Sequence, residues 1–140
     1  LIKNNIKINV IGNIKILPRK VRLCLIESMR KTKKCNKILV NLAINYGSHN
    51  EIIEATKHVK RKKLMINVNN LQKNLYTKNL PNPDILIRTG GKKRLSNFLL
   101  WQIAYTEIYF VNKLWPDFNI MDYKKIINNF KNVKRNFGNI

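Results

Sequence analysis

Acidic residues are scarce in this sequence. Seven Asp and Glu stand against 28 Lys and Arg in 140 residues, a formal net charge of +21. Cysteine is scarce too: Cys24 and Cys35 are the two present, in or beside one expected helix. No C-x-x-C pair occurs, so neither a cysteine metal site nor a disulfide framework is encoded, and free thiols in a reducing compartment are expected. His49 and His58 are the only histidines, and neither pairs with a cysteine or an acidic cluster. No apolar run reaches the roughly eighteen residues of a membrane-crossing helix, and no secretory leader pattern is found. These absences point to a cytoplasmic protein. The chain does not open on Met and starts in mid-pattern, as a fragment of a longer protein would.

What is present begins with the basic excess. A charge of +21 suggests an anionic partner, nucleic acid or membrane. Its distribution argues otherwise. Lys, Asn and Ile are over-used in loops and helices alike, as A/T-rich codons would produce, so charge is raised everywhere without marking a face. The aromatic residues sit mostly in the last third at core-like spacing, not interleaved with Lys and Arg as a base-stacking platform needs. The one basic run, KRKK at 60–63, reads as a solvated helix end favoured by the helix dipole. No nucleic-acid partner is expected. A length of 140 residues with 44% hydrophobic content predicts one domain, 1–140, with a real core.

Along the chain, IKINVI at 6–11 alternates and stops at Gly12, a strand and a turn. Residues 18–34 carry apolar Val21, Leu25, Ile26 and Met29 at helical spacing behind Pro18. ILVNLAI at 38–44 reads as a strand buried on both faces. Ser48 is placed to cap a helix from Glu51 to about Lys62, and a short helix is expected over 68–79. Residues 85–87 form a third buried strand. Ser96 stands at an N-cap position ahead of an apolar 98–105 segment, and EIYFV at 107–111 is a fourth strand. Asn119 with Asp122 resembles a capping box, starting a last helix that buries Ile120, Tyr123, Ile127, Phe130 and Phe137. Strands and helices alternate, so the expected fold class is α/β, a parallel sheet flanked by helices. In such sheets ligands bind beyond the carboxyl ends of the strands. Gly12, Asn45-Tyr46-Gly47 and Arg88-Thr89-Gly90-Gly91 all fall there.

The stretch ILIRTGGKKRLSNFLLWQ, 85–102, is the densest in chemistry. Arg88 ends a buried strand, and Gly90 and Gly91 let the backbone turn tightly and approach a ligand. Arg94 and Ser96 then arrive at an expected helix N-terminus, where free N–H groups favour anions. Two guanidiniums and a hydroxyl match a phosphate or pyrophosphate. Glu107 starts an otherwise apolar strand; a carboxylate beside pyrophosphate needs a cation between them, and Mg²⁺ is the natural bridge. Plainer uses stand beside these: Arg88 as a surface or ion-paired residue, Ser96 as a cap alone, Glu107 as a partner for Arg94. Trp101, Tyr105, Phe110 and Trp115 read as core, or as a wall of an apolar pocket.

Residues 83–118, PDILIRTGGKKRLSNFLLWQIAYTEIYFVNKLWPDF, resemble the C-terminal signature of the cis-prenyltransferases, and among them the bacterial undecaprenyl diphosphate synthases. Weaker likeness runs back through VIGN and NLAINYG and on to RNFG, so it covers nearly the whole chain. The resemblance implies an enzyme condensing isopentenyl diphosphate onto an allylic diphosphate such as farnesyl diphosphate, giving the cis-polyprenyl precursor of the cell-wall lipid carrier. It implies that Arg88, Arg94, Leu95 and Ser96 bind the diphosphate of isopentenyl diphosphate, with Asn45, Asp84 and Asn97 as supporting positions, and that Glu107 helps bind Mg²⁺. It also implies a homodimer, with transient membrane-surface contact for product release.

The departures are specific. The family's first strand and its phosphate-binding Asp-Gly-x-Gly motif, which holds the catalytic Asp, have no match here, so no catalytic residue is assigned in this chain. Lys92 stands where the family usually has Glu, and Asn13 where it has Asp. YGSHNE at 46–51 replaces YGGRWD, the 51–84 segment is several residues short, and the C-terminal Arg-x-Gly element reads Asn136-Phe137-Gly138. These departures keep a second reading open, a non-catalytic subunit of the same family.

Overall fold

The computed structural model describes residues 1–134. Phe137 and the Asn136-Phe137-Gly138 element therefore lie outside the described residues. The chain divides into two compact units, Leu1–Asn79 and Leu80–Ile140.

The first unit opens with β1, Ile6–Ile11, then α1, Arg19–Lys31, and β2, Ile38–Ala43. The strands pair in parallel with Ile6 opposite Ile38 and Ile11 opposite Ala43. A parallel pair needs a crossover, which α1 supplies. Pro18 precedes the helix, where its missing N–H costs nothing. α1 packs on β1, and one buried hydroxyl ties the two together. Thr32 Oγ1, just past the helix end, accepts from the Ile8 N–H at 3.0 Å and donates to the Ser28 carbonyl at 2.8 Å. A strand N–H away from the ladder is thus satisfied without water.

α2, Ser48–Arg61, follows β2, and a short α3, Val68–Gln72, packs beside it. Gly47 is the N-cap and Ser48 is the first helical residue, fully buried, rather than the cap. Ile8, Ile11, Cys35, Ala55, Val59 and Leu75 are the buried apolar residues of the unit.

Two expectations are corrected here. β2 is not buried on both faces: Ile38, Leu39 and Leu42 are exposed. Its apolar run meets a covering layer only where helices lie over it, and α1 lies on β1 instead. α1 itself buries no residue completely; Val21 and Ile26 are exposed, while Leu25 and Met29 are half-buried.

The second unit holds β3, Ile85–Arg88, β4, Glu107–Phe110, and α4, Ile120–Lys131. β3 and β4 are again parallel, with Ile85 opposite Glu107 and Arg88 opposite Phe110. β3 is half-buried rather than buried. The expected capping box of α4 is present: Asn119 Oδ1 accepts from Met121 and Asp122 N–H, and Asp122 Oδ2 accepts from Asn119 N–H. Its buried position is Ile126; Ile120 and Tyr123 are exposed, and Ile127 and Phe130 half-buried. The apolar stripe was read a residue out of register because Ile126 and Ile127 are both apolar. Tyr105, Phe110 and Trp115 are exposed rather than core, and Trp115 stacks on Phe118 with ring centroids 6.2 Å apart.

The connection from β3 to β4 is the largest correction. Residues 96–105 form a succession of turns, with no helix. Ser96, Asn97 and Leu99 sit at φ 49°, 61° and 47°, and L-residues in that region do not continue a right-handed helix. Ser96 is therefore not an N-cap, and no helix N-terminus stands behind it.

Candidate functional site

The loop after β3 is set by two glycines. Gly90 and Gly91 take φ 87° and 69°, a region open to glycine at little cost. Their N–H groups donate to the carbonyls of Lys113, at 2.8 Å, and Val111, at 3.0 Å. With Val111 N–H donating to Arg88 carbonyl at 2.8 Å, the loop is clamped onto the segment leaving β4. The chain then returns past Arg94 to Ser96, whose left-handed backbone turns its hydroxyl towards the strand end.

Arg88 Nη1 donates to Ser96 Oγ at 3.1 Å. Around this contact lies a pocket of about 270 Å³, lined by Leu86, Ile87, Arg88, Thr89, Arg94, Leu95, Ser96 and Phe98. Two guanidiniums and two hydroxyls face it and none of its lining residues is acidic. Arg88 Nε is buried and has no hydrogen-bond partner among the described residues. A buried donor left unpaired costs about 1–3 kcal/mol. An orphan N–H on a pocket-lining guanidinium, beside a second arginine, is an arrangement that an anion completes. Both guanidiniums present planar forks of donors suited to phosphate oxygens.

The fold thus brings Arg88, Arg94, Leu95 and Ser96 to one pocket, though by turns and side chains instead of a helix N-terminus. Asn97 is half-buried in the same turn. Asp84 is exposed before β3, where its carbonyl accepts from Glu107 N–H at 3.0 Å. Glu107 is half-buried and starts β4 opposite Ile85. It is not among the pocket's lining residues. Three register positions separate it from Arg88, roughly 10 Å along the strands. Among the described residues it makes no ion pair with Arg94. No group of three or more His, Cys, Asp or Glu able to hold a metal occurs among them either.

Asn45 belongs to the first unit. It takes φ 46° and its amide donates to the Asn13 carbonyl at 2.9 Å, while Asn13 N–H donates back to the Asn45 carbonyl at 3.2 Å. These loops rim a second pocket of about 770 Å³ within that unit, at the carboxyl ends of β1 and β2. Beneath it is a network that sequence reading missed. Glu51 is 1% exposed, accepts from the Tyr46 hydroxyl, and accepts from the Tyr76 N–H at 2.7 Å. Burial, with Glu54 and Glu51 nearby, raises the Tyr76 phenol above its ordinary value. One signal was available: in so acid-poor a chain, a glutamate in a helix's first turn five residues after a tyrosine has a reason to be there. Thr89, expected at the crevice beyond the strand ends, is a pocket wall, and Phe98 was missed as one.

Comparison with known proteins bears on this geometry. Residues 1–138 match the prenyltransferase family profile described as undecaprenyl diphosphate synthase. An isoprenyl transferase of Campylobacter jejuni (strain RM1221) is 47% identical over 137 residues, covering 97% of this chain and 60% of that protein. A tritrans,polycis-undecaprenyl-diphosphate synthase (geranylgeranyl-diphosphate specific) of Pyrococcus horikoshii is 41% identical, covering 95% and 53%. Among solved structures, a probable undecaprenyl diphosphate synthase from Campylobacter jejuni superposes with TM-score 0.90 at 46% identity, over 99% of this chain and 65% of that one. Lavandulyl diphosphate synthase from Lavandula x intermedia, in complex with dimethylallyl diphosphate, superposes with TM-score 0.89 at 32% identity, over 95% and 60%. The chain spans 60% or less of the length of these two curated relatives.

Proposed function

Because this chain belongs to the undecaprenyl diphosphate synthase family of cis-prenyltransferases, we propose that it carries the isopentenyl diphosphate half of a cis-prenyltransferase site. The reaction is the condensation of isopentenyl diphosphate with an allylic diphosphate such as farnesyl diphosphate. The product is a cis-polyprenyl diphosphate of the undecaprenyl type, precursor of the cell-wall lipid carrier. The observation that carries this reading is the orphaned, buried Nε of Arg88 in an acid-free pocket shared with Arg94 and Ser96.

The residues have distinct tasks in this proposal. Arg88 and Arg94 grip the diphosphate oxygens through their forks, Ser96 donates its hydroxyl while its oxygen holds Arg88 in place, and Leu95 walls the site. Fixing the diphosphate at one end orients the alkene at the other, so that chemistry becomes a matter of position. Asn97 and Asp84 support the loops of the second unit, and Asn45, through its bond to the Asn13 carbonyl, those of the first. For Mg²⁺ the described residues supply one carboxylate, Glu107. That fits an ion which takes one or two carboxylates and completes its shell with phosphate oxygens and water. When bound, the metal supplies neutralisation of diphosphate charge. No described helix is long and apolar enough to cross a membrane; the proposed enzyme works in the cytoplasm, as a homodimer.

The test is calorimetric titration of the chain with isopentenyl diphosphate, with and without Mg²⁺, alongside incorporation of labelled isopentenyl diphosphate onto farnesyl diphosphate by the product of the complete reading frame. Binding that is lost in Arg94→Ala, with polyprenyl product, supports the enzyme. Binding without product supports a non-catalytic subunit, the role that Lys92 in place of the family's usual Glu favours. Absence of binding overturns both.

A further inference from the structure

The loop that closes the diphosphate pocket carries more positive charge than the pocket walls account for. Arg88, Lys92, Lys93 and Arg94 fall within seven residues, and no Asp or Glu occurs between Asp84 and Glu107. Arg88 and Arg94 line the pocket. Lys92 and Lys93 are exposed, and none of the four forms an ion pair among the described residues. The ion-paired acids stand elsewhere: Glu27 holds Arg30, Glu54 holds Lys57 and Asp122 holds Lys113. The frame beneath the two lysines is fixed at both ends. Gly90 and Gly91 N–H groups donate to the Lys113 and Val111 carbonyls, and Arg88 Nη1 donates to Ser96 Oγ; Lys92 and Lys93 lie between these anchors. Neither is more than two residues from Arg94, at most about 7 Å of extended chain, and each ends in an ammonium on a flexible four-carbon stem. Both are within reach of a ligand held by Arg94.

Charge balance gives these lysines a task. A phosphate monoester carries about −1.5 to −2 at neutral pH; a diphosphate carries more, beyond what two guanidiniums offset. Glu107 starts β4 opposite Ile85, three register positions from Arg88 and outside the pocket walls. We propose that Lys92 and Lys93 supply the remaining charge, so that this chain binds isopentenyl diphosphate without a metal ion. The inference rests on the diphosphate reading above and adds which groups neutralise the bound anion. The arginines act as planar forks that fix its geometry, and the lysines as movable point charges that close over it.

The experiment is calorimetric titration of the chain with isopentenyl diphosphate in EDTA, repeated with Mg²⁺. Binding is expected in both buffers. Lys92→Gln with Lys93→Gln, a surface change whose folding is checked by circular dichroism, is expected to weaken binding in EDTA by about tenfold and to recover most of that loss when Mg²⁺ is added. Lys92→Glu sets a carboxylate beside the pocket; it is expected to lose more in EDTA and to bind more tightly with Mg²⁺ than without. Because the whole chain is basic, the control removes the same charge elsewhere: Lys33→Gln with Lys34→Gln, both exposed in the first unit, is expected to leave affinity unchanged. The proposal is overturned if the unmodified chain binds only with Mg²⁺, if the Lys92/Lys93 variant binds in EDTA as the unmodified chain does, or if the Lys33/Lys34 variant loses as much. Binding that requires Mg²⁺ leaves the diphosphate reading standing; absence of binding in either buffer overturns that reading together with this one.

Discussion

Replacing Arg88 by Met separates folding from the proposed diphosphate binding at its pocket. The two side chains are of similar reach, but Met has no donor to leave unpaired. The substitution removes the buried orphan Nε, whose desolvation costs about 1–3 kcal/mol. It also forfeits the 3.1 Å bond from Nη1 to Ser96 Oγ, a bond from a charged donor worth about 1.5–3 kcal/mol. The two nearly cancel, so the ligand-free variant keeps its stability to within about 1 kcal/mol. In urea the unfolding midpoint then shifts by no more than roughly 0.5 M for a denaturant slope near 2 kcal/mol per molar. Affinity falls. Each hydrogen bond from a charged donor is worth about 1.5–3 kcal/mol, so inorganic pyrophosphate binding by calorimetry falls by at least about tenfold. Arg88→Lys retains the charge but not the fork, and is expected to bind between the two. A protein no less stable but unable to bind is the signature of a residue kept for its ligand. Loss of more than about 2 kcal/mol of stability, or unaltered pyrophosphate affinity, would refute this account of Arg88.

Two further predictions concern the frame around the sites. Gly12 has φ 105°, and a Cβ there would lie 2.2 Å from the Ile44 carbonyl oxygen, whereas Gly90, at φ 87°, has nothing within 4 Å. Gly90→Ala therefore costs backbone strain alone, about 1–2 kcal/mol; Gly12→Ala adds a backbone collision and is expected to exceed it by about 2 kcal/mol or more, read as loss of amide-exchange protection along β1 and β2. Asp122 accepts from Lys113 Nζ and from Asn119 N–H, which hold its carboxyl below its ordinary value. A depressed folded value means stability present at neutral pH and lost as pH falls below the usual aspartate range, so the gap between the native chain and Asp122→Asn in thermal unfolding narrows to nothing in acid, and at neutral pH narrows with added salt.

How legible the molecule was in its sequence depended on how far each determinant reaches. The capping box of α4 joins Asn119 to Asp122, three residues apart, and nothing distant competes with it. The strands 6–11 and 107–111 were readable for the same reason, since alternation or an apolar run with its stop signal is a local pattern. β2 was misread because burial on two faces is a property of the layers around a strand, and a run such as ILVNLAI states a preference that this chain leaves unmet at Ile38, Leu39 and Leu42. Residues 98–105 failed differently. Their apolar content suits a helix, but the left-handed conformations that break it fall on Ser96, Asn97 and Leu99, where no glycine announces them. That error bears directly on the chemistry. The diphosphate pocket was expected to borrow the N–H groups and dipole of a helix; the turns deliver Arg88, Arg94 and Ser96 to the same place without it. A site with a helix dipole behind it retains attraction for an anion when one side chain is lost. One built from two guanidiniums and a hydroxyl does not, so Arg94→Ala is expected to weaken diphosphate binding nearly as severely as Arg88→Met, by at least about tenfold each. Strong residual binding in either variant would mean that backbone donors in the 89–96 loop carry more of the affinity than the side chains do.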